Sequence, residues 1–134
     1  MLESIRAAVF DTHAWVWASA GDQRARTAAP FRGQAILSAI SLWEISMLES
    51  KGRLELLPDL DTWIEKNLVP PVELAPLSPA ICVASVRLPD FHGDPADRLI
   101  VATAIVLGVP LVTADKSILE WNKSLSRLQT IALT

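Results

Sequence analysis

The sequence is nearly devoid of cysteine: Cys82 is the only one, and a single cysteine cannot form a disulfide within the chain. It also lacks an apolar run long enough for a membrane, since the longest, residues 99–107, has less than half of the roughly 20 residues that a spanning helix needs. Residues 1–6 lack the charged, then apolar, then small pattern of a signal peptide. These absences argue against disulfide-rich and membrane-spanning classes and predict a protein of the reducing cytoplasm.

Positive charge is not in excess either, because 12 Lys and Arg face 15 Asp and Glu and the formal net charge is −3. Nucleic-acid-binding proteins usually present a basic surface, so this charge at first argues against a polyanionic substrate. If five of the acids gather in one site, ten remain against twelve basic residues, and the rest of the molecule carries about +2. Overall charge therefore neither supports nor excludes RNA.

What the sequence does have is apolar residues, which make up 51% of the 134 positions. The length suits one domain, residues 1–134, and is too short for two well-formed cores. A mean hydropathy of +0.33 is high for a solitary monomer and favours an apolar surface covered by a partner or by self-association.

Short apolar runs alternate along the chain with longer helical patterns, without repeats or low-complexity tracts. The strand candidates are residues 7–10, 35–38, 72–75, 111–114 and 129–133. The helix candidates are residues 12–20, 24–31, 41–51, 60–67, 79–88, 95–107 and 116–121. Gly52 and Gly108 follow two of the helices, where a left-handed C-terminal cap favours glycine. This alternation predicts a parallel sheet with helices on both faces.

The helix at residues 95–107 is apolar nearly all round after Arg98, which predicts burial between the sheet and a further layer. A second protomer or a partner protein is one candidate for that layer. The protein's own other helices are the alternative.

Four carboxylates are predicted to meet at one edge of this sheet. Ligands of open parallel α/β sheets bind beyond the carboxyl ends of the strands, and Asp11 and Asp115 both follow strands. Glu44 is predicted in the first turn of the helix after the second strand. Asp97 begins the helix that precedes the fourth strand, and that helix runs antiparallel to the strand, so it starts over the same edge. Such a cluster repels itself unless a cation is bound.

The ligand chemistry of these acids favours Mg²⁺ or Mn²⁺. Carboxylate oxygens are hard ligands, the proposed set includes no cysteine, and the sequence has no pair of histidines at the spacing that Zn²⁺ uses.

Each acid also has a purely structural interpretation. Ser41-Leu42-Trp43-Glu44 matches the capping box, in which the glutamate bonds back to the N–H of the capping serine. Asp94 reads as a helix cap followed by proline at the first helical position. The joint occurrence of the acids, more than any one of them, favours a site.

The same residues carry a family resemblance, in four segments. They are residues 9–17 (VFDTHAWVW), 38–45 (SAISLWEI), 92–104 (HGDPADRLIVATA) and 111–116 (LVTADK). Together they resemble the motifs of PIN-domain nucleases, and among these the VapC toxins of bacterial type II toxin–antitoxin modules. The order and spacing agree over essentially the whole chain. One departure is Gly93, which stands where many relatives carry a basic residue before the Asp-Pro-x-Asp motif.

The resemblance implies a three-layer α/β/α PIN-like fold with a central, mainly parallel sheet of four to five strands. It implies a ribonuclease in which Mg²⁺ or Mn²⁺ activates a water for attack on an RNA phosphodiester. Asp11, Asp97 and Asp115 are then the expected metal ligands, and Glu44 either ligates a metal or orients the water. Asp94 is foremost a helix cap, with a place behind the ligands as the alternative. The resemblance also implies a homodimer and a cognate antitoxin that covers the acidic cleft.

Several polar residues beside the acids are candidates for supporting roles. Thr12, Ser41 and Thr113 carry hydroxyls that can position a carboxylate, although Ser41 is foremost a predicted helix cap and Thr113 also suits an ordinary strand position. Arg98 and Lys116 each follow a site acid and are candidate phosphate contacts, with a solvated surface charge as the alternative.

The aromatic residues and histidines give weaker indications. The five tryptophans suit base stacking less than core or interface positions, and Trp15 and Trp17, two positions apart on one helix, cannot both face one core. His13 lacks a second histidine at ligand spacing, and His92 is expected in a loop.

Three competing functions remain at this stage. A phosphatase with Asp11 as nucleophile would need an acid two residues later, where the chain has His13. A non-catalytic α/β interaction module would use all of the acids as caps. A related nuclease acting on DNA, or in RNA processing, is the nearest rival.

Overall fold

A computed structural model describes residues 1–91 and 93–134, so the predicted loop position of His92 lies outside the described residues. Its five strands form one sheet in the order β3-β2-β1-β4-β5, and every neighbouring pair is parallel. The strands are β1 (Ala7–Phe10), β2 (Gln34–Ser38), β3 (Val72–Ala75), β4 (Leu111–Thr113) and β5 (Thr130–Ala132). This confirms the predicted parallel sheet.

The described part of the chain also has six α-helices and two short 3₁₀ helices. The α-helices are α1 (Thr12–Ser19), α2 (Ala39–Ser50), α3 (Leu60–Asn67), α4 (Pro79–Val86), α5 (Pro95–Leu107) and α6 (Lys116–Leu125). The 3₁₀ helices are Leu2–Ser4 and Gln23–Ala28. None of the helices in the described residues has the length and hydrophobicity that crossing a membrane requires.

Successive side chains of a strand point to opposite faces of the sheet, so the core has two halves, one on each face. Phe10 and Val112 pack on one face with Trp15 of α1, and α3 packs beside them. Val9 and Leu111, one position away on the same strands, pack on the opposite face, together with residues of α5 and α6. Helices therefore cover both faces, which is the expected three-layer α/β/α arrangement.

Helix α5 is buried by the chain itself. Its residues from Ile100 to Ala104 are almost fully inaccessible, and the helix packs against α4 and α2 as well as the sheet. Its last turn is open, and there Val106 and Leu107 are 41% and 45% exposed. The alternative in which the protein's own helices cover α5 is therefore the correct one. Gly108 ends this helix in the left-handed conformation, with φ +67°, as predicted.

Two predicted helices differ from the observed ones in type or start. The helix predicted at residues 24–31 is the 3₁₀ helix Gln23–Ala28, whose buried residues Ala25 and Ala28 lie three apart, the repeat of a 3₁₀ turn. The helix predicted from residue 41 begins at Ala39, because strand β2 runs directly into it and Ser38 is its cap. The last helix continues past residue 121 to Leu125.

Candidate metal centre

The site forms at the carboxyl ends of the two central strands. Asp11 directly follows β1, and Asp115 lies two residues beyond the end of β4. Strands β1 and β4 are neighbours, and they mark the point where the strand order turns from one direction to the other. Crevices at such switch points are the usual ligand sites of open parallel sheets.

Both oxygens of Asp11 are held by the protein. Oδ1 accepts a hydrogen bond of 2.8 Å from the N–H of Ala14, which makes Asp11 the N-cap of α1. Oδ2 accepts from the hydroxyl of Thr113 at the end of β4. Burial raises the pKa of Asp11, although these two hydrogen bonds lower it. The carboxylate is therefore fixed in position but costly to keep charged without a cation.

Thr113 connects Asp11 to Asp115. Its side chain is fully buried, and while its hydroxyl donates to Asp11 it accepts the N–H of Asp115 at 3.0 Å. Asp115 in turn caps α6, since its Oδ1 accepts N–H groups of the first helical turn at 2.8 and 3.2 Å. One threonine thus orients the acids of two neighbouring strands.

Glu44 is held by Thr12 and not by a capping box. The hydroxyl of Thr12 donates to Glu44 Oε1 and lies 2.9 Å from the hydroxyl of Ser41. Ser41 was predicted as the cap of α2, and this is wrong: Ser38 caps the helix, and Ser41 is fully buried inside its first turn. Glu44 lies in the second turn, too far along the helix to bond back to the cap. Burial raises its pKa.

Asp94 caps α5, as predicted, and also joins the acidic cluster. Its Oδ1 accepts the N–H of Asp97 at 2.8 Å, and Pro95 occupies the first turn. Glu44, Asp94 and Asp97 each offer one oxygen, and these three oxygens lie within 4.8 Å of one another. That spacing allows all three to bind one metal ion. The sequence predicts Asp94 foremost as a helix cap, with a place behind the ligands as the alternative, because a capping motif does not reveal which other acids lie nearby.

Asp97 is surrounded by the other acids of the site. Burial, followed by repulsion from Asp94, Asp115, Glu44 and Asp11, raises its pKa to about 7. Within the described residues, none of the five acids forms a salt bridge with Lys or Arg. Clustered carboxylates without a basic partner are the expected donor set of a hard divalent cation. The residues present therefore fit such a metal.

All five acids, Asp11, Glu44, Asp94, Asp97 and Asp115, line one cleft of about 430 Å³. Three of them, Asp11, Asp94 and Asp115, are also N-caps of helices. The positive ends of these helices favour negative charge, so capping and clustering support each other.

The candidate phosphate contacts Arg98 and Lys116 are placed differently. The guanidinium of Arg98 donates to the carbonyls of Ser85 and Phe91, at 3.2 and 2.5 Å, and so braces the segment before α5. Lys116 is exposed and lines a second, larger cleft of about 800 Å³ that shares Asp94 and Asp97 with the first.

Two residues of the cleft were not predicted from the sequence as site residues. His13 and Trp17 line the same cleft as the acids. The available signal was their spacing, because residues two and six positions after a site aspartate that caps a helix lie on the turns nearest the site. Trp15, between them, is 2% exposed and packs in the core against Trp63.

Comparison with known proteins gives a consistent result. The family model of the PIN domain matches residues 8–123. The chain is 38% identical over 116 residues to Ribonuclease VapC22 of Mycobacterium tuberculosis (strain ATCC 25618 / H37Rv), covering 81% of this chain and 86% of that protein.

Solved structures share the fold at low sequence identity. A toxin–antitoxin complex from Klebsiella pneumoniae aligns with a TM-score of 0.67 and 18% identity, covering 95% of this chain and 99% of that chain. VapBC2 from Rickettsia felis, bound to a DNA fragment from their promoter, aligns with a TM-score of 0.69 and 16% identity, covering 96% and 99%.

Proposed function

The chain belongs to the PIN domain family, and on that premise we propose that it is a metal-dependent endoribonuclease, the toxin of a VapBC-type toxin–antitoxin pair. The observation that carries the proposal is the convergence of five acids on one cleft without a basic partner among the described residues. The relative at 38% identity is named a ribonuclease, which supports RNA as the substrate.

The proposed metal is Mg²⁺ or Mn²⁺, held by Asp11, Glu44, Asp97 and Asp115, with Asp94 as a further ligand. The bound cation supplies a water of lowered pKa and neutralises charge that develops on the phosphate. Thr113 keeps Asp11 and Asp115 oriented, and Thr12 fixes Oε1 of Glu44. The second oxygen of Glu44 is then left to bind the cation or to orient the water. Asp97, whose pKa is raised to about 7, would have to be deprotonated to hold the cation.

The proposed partners are a cognate antitoxin and a second copy of the chain. Structural relatives were solved as toxin–antitoxin complexes, which supports an antitoxin. Apolar side chains are exposed on α4 and at the end of α5, where Val86 is 79% and Val83 48% exposed, and this surface is the proposed place of self-association.

The test is induced expression of the wild type and of Asp11→Asn in bacteria, followed by mapping of cleaved RNA ends. We expect growth arrest and RNA cleavage with the wild type and neither with the variant. Asp61→Asn is the matched control, because Asp61 is an exposed acid in the first turn of α3 and does not line the cleft. Equal arrest by the wild type and Asp11→Asn would contradict the proposal.

Purified protein separates RNA from the other functions. We expect single-stranded RNA to be cut with Mg²⁺ or Mn²⁺ and not with EDTA, and DNA of the same sequence to survive. Cleavage of the DNA alone would show that the protein is a DNA nuclease and not a ribonuclease. A non-catalytic module predicts that Mn²⁺ leaves the melting temperature unchanged, whereas a metal site predicts a rise by mass action.

A further inference from the structure

Helix α1 carries two aromatic side chains along the edge of the acidic cleft. His13 and Trp17 are four residues apart, so they lie on the same side of the helix, and their ring centroids are 5.7 Å apart at an interplanar angle of 49°. Both line the cleft that also holds the five acids. Asp11 is the N-cap of this helix, which fixes the pair relative to the proposed metal site.

His13 and Trp17 are more exposed to solvent than core residues, and a neighbouring arginine supports Trp17. His13 is exposed and Trp17 half-buried, whereas Trp15 on the same helix is 2% exposed. The guanidinium of Arg24 stacks over Trp17, 4.5 Å from the ring centroid. Asp22 holds Arg24 in place through hydrogen bonds of 3.1 and 2.8 Å. The tryptophan is therefore held in place before any ligand arrives.

We propose that His13 and Trp17 form an aromatic platform on which an unpaired base of the RNA stacks, beside the phosphate that is cut. This inference rests on the proposed function and adds to it how the site selects single-stranded RNA. Aromatic side chains beside a cation are the usual means of gripping unpaired bases, because every base has a flat face to stack. A base-paired nucleotide cannot offer that face, so the platform selects unpaired segments.

The location suits an RNA substrate. The platform shares its cleft with the carboxylates that bind the metal, so a ligand held there lies beside the reacting phosphate. The exposed apolar residues Val83, Val86, Val106 and Leu107, which suit a protein interface, lie on α4 and α5 instead.

The test compares cleavage of two RNAs, one intact and one with an abasic site next to the mapped cut. On intact RNA we expect Trp17→Leu to lower kcat/KM by about 5- to 150-fold, the loss of one stacked base, mainly through KM. On the abasic RNA the wild type and Trp17→Leu should cut equally, because neither has a base to stack. Trp17→Phe should retain most of the wild-type kcat/KM on intact RNA. His13→Ala should show the same pattern as Trp17→Leu.

Trp43→Leu is the matched control, because Trp43 is 58% exposed on α2 and does not line the cleft. It should cut both RNAs as the wild type does. Melting temperature and Mn²⁺ affinity are measured for every variant, and His13→Ala keeps the test decisive if Trp17→Leu is poorly folded, since His13 is exposed.

Three results would overturn the platform. One is wild-type cleavage of intact RNA by both His13→Ala and Trp17→Leu. Another is a loss of equal size on the abasic RNA, which indicates a general disturbance of the site. The third is weakened antitoxin binding with unchanged cleavage, which assigns the pair to a protein interface. If the wild type cuts no RNA with Mn²⁺ present, the proposed function itself fails, and that result precedes any variant.

Discussion

Thr113→Val removes the hydroxyl that connects two of the proposed ligands while keeping the shape of a fully buried side chain. Two hydrogen bonds disappear, the one donated to Asp11 and the one accepted from the N–H of Asp115. A bond to a charged acceptor contributes about 1.5–3 kcal/mol, and a buried N–H left without a partner costs about 1–3 kcal/mol. Because Asp115 is only half-buried and water can replace part of the second bond, we expect a total loss of about 2–4 kcal/mol in the free energy of unfolding.

The same substitution should weaken the metal site. Groups that orient metal ligands typically change affinity by about 10- to 100-fold when they are removed, and we expect Mn²⁺ binding to Thr113→Val to weaken within that range. Mn²⁺ titration measures the affinity, and urea unfolding in EDTA measures the stability.

Thr103→Val is the matched control for this experiment. Thr103 is as fully buried as Thr113, but its hydroxyl donates to the carbonyl of Leu99 within α5, 2.7 Å away. Thr103→Val should lower the free energy of unfolding by about 1 kcal/mol or less, since the carbonyl of Leu99 keeps its other hydrogen bonding. It should also keep the wild-type affinity for Mn²⁺. Thr113→Val with wild-type Mn²⁺ affinity, or an equal loss of affinity in both variants, would refute the assigned role of Thr113.

Two further predictions concern Asp97 and Arg98. The pKa of Asp97 is raised above its unfolded value of 3.8 to about 7, so the stabilising proton is present at low pH and is lost as the pH rises through 7. The melting temperature in EDTA should therefore fall between pH 5.5 and 8, and less so in Asp97→Asn; an unchanged slope in that variant would show that Asp97 is not responsible. Arg98→Met should lower the free energy of unfolding by about 1–3 kcal/mol, because two carbonyls lose a charged donor, and should leave the salt dependence of RNA binding unchanged. If Arg98 contacts a phosphate, the slope of the logarithm of the RNA-binding constant against the logarithm of the salt concentration would instead decrease by about one.

The sheet edge was predictable from the sequence because its pattern is local. Apolar runs that are followed by Asp11 and Asp115 define two strands, and parallel topology then brings their carboxyl ends to one edge. The start of helix α5 was predictable for the same reason, since Asp94 and Pro95 carry an unambiguous capping signal.

The start of α2 was not predictable, because two serines three residues apart both suit a helix cap. The choice between Ser38 and Ser41 depends on how far β2 extends before the helix begins, and pairing with β1 and β3 decides that. The cluster of Asp94 with Glu44 depends likewise on the packing of α2 against α5. Side-chain direction across two helices is a tertiary property that no local pattern carries.

The bond between Thr113 and Asp11 joins residues 102 positions apart, and it lies where the central strands β1 and β4 pair. A chain still growing on the ribosome has β1 from the start but cannot complete the middle of its sheet until β4 has emerged. Pairing over such a long loop is among the slow, late events of folding. The centre is therefore assembled only near the end of synthesis, and an incomplete chain that carries Asp11 and Glu44 has no formed nuclease centre. Synthesis itself therefore delays the assembly of the acidic cluster until the chain is nearly whole.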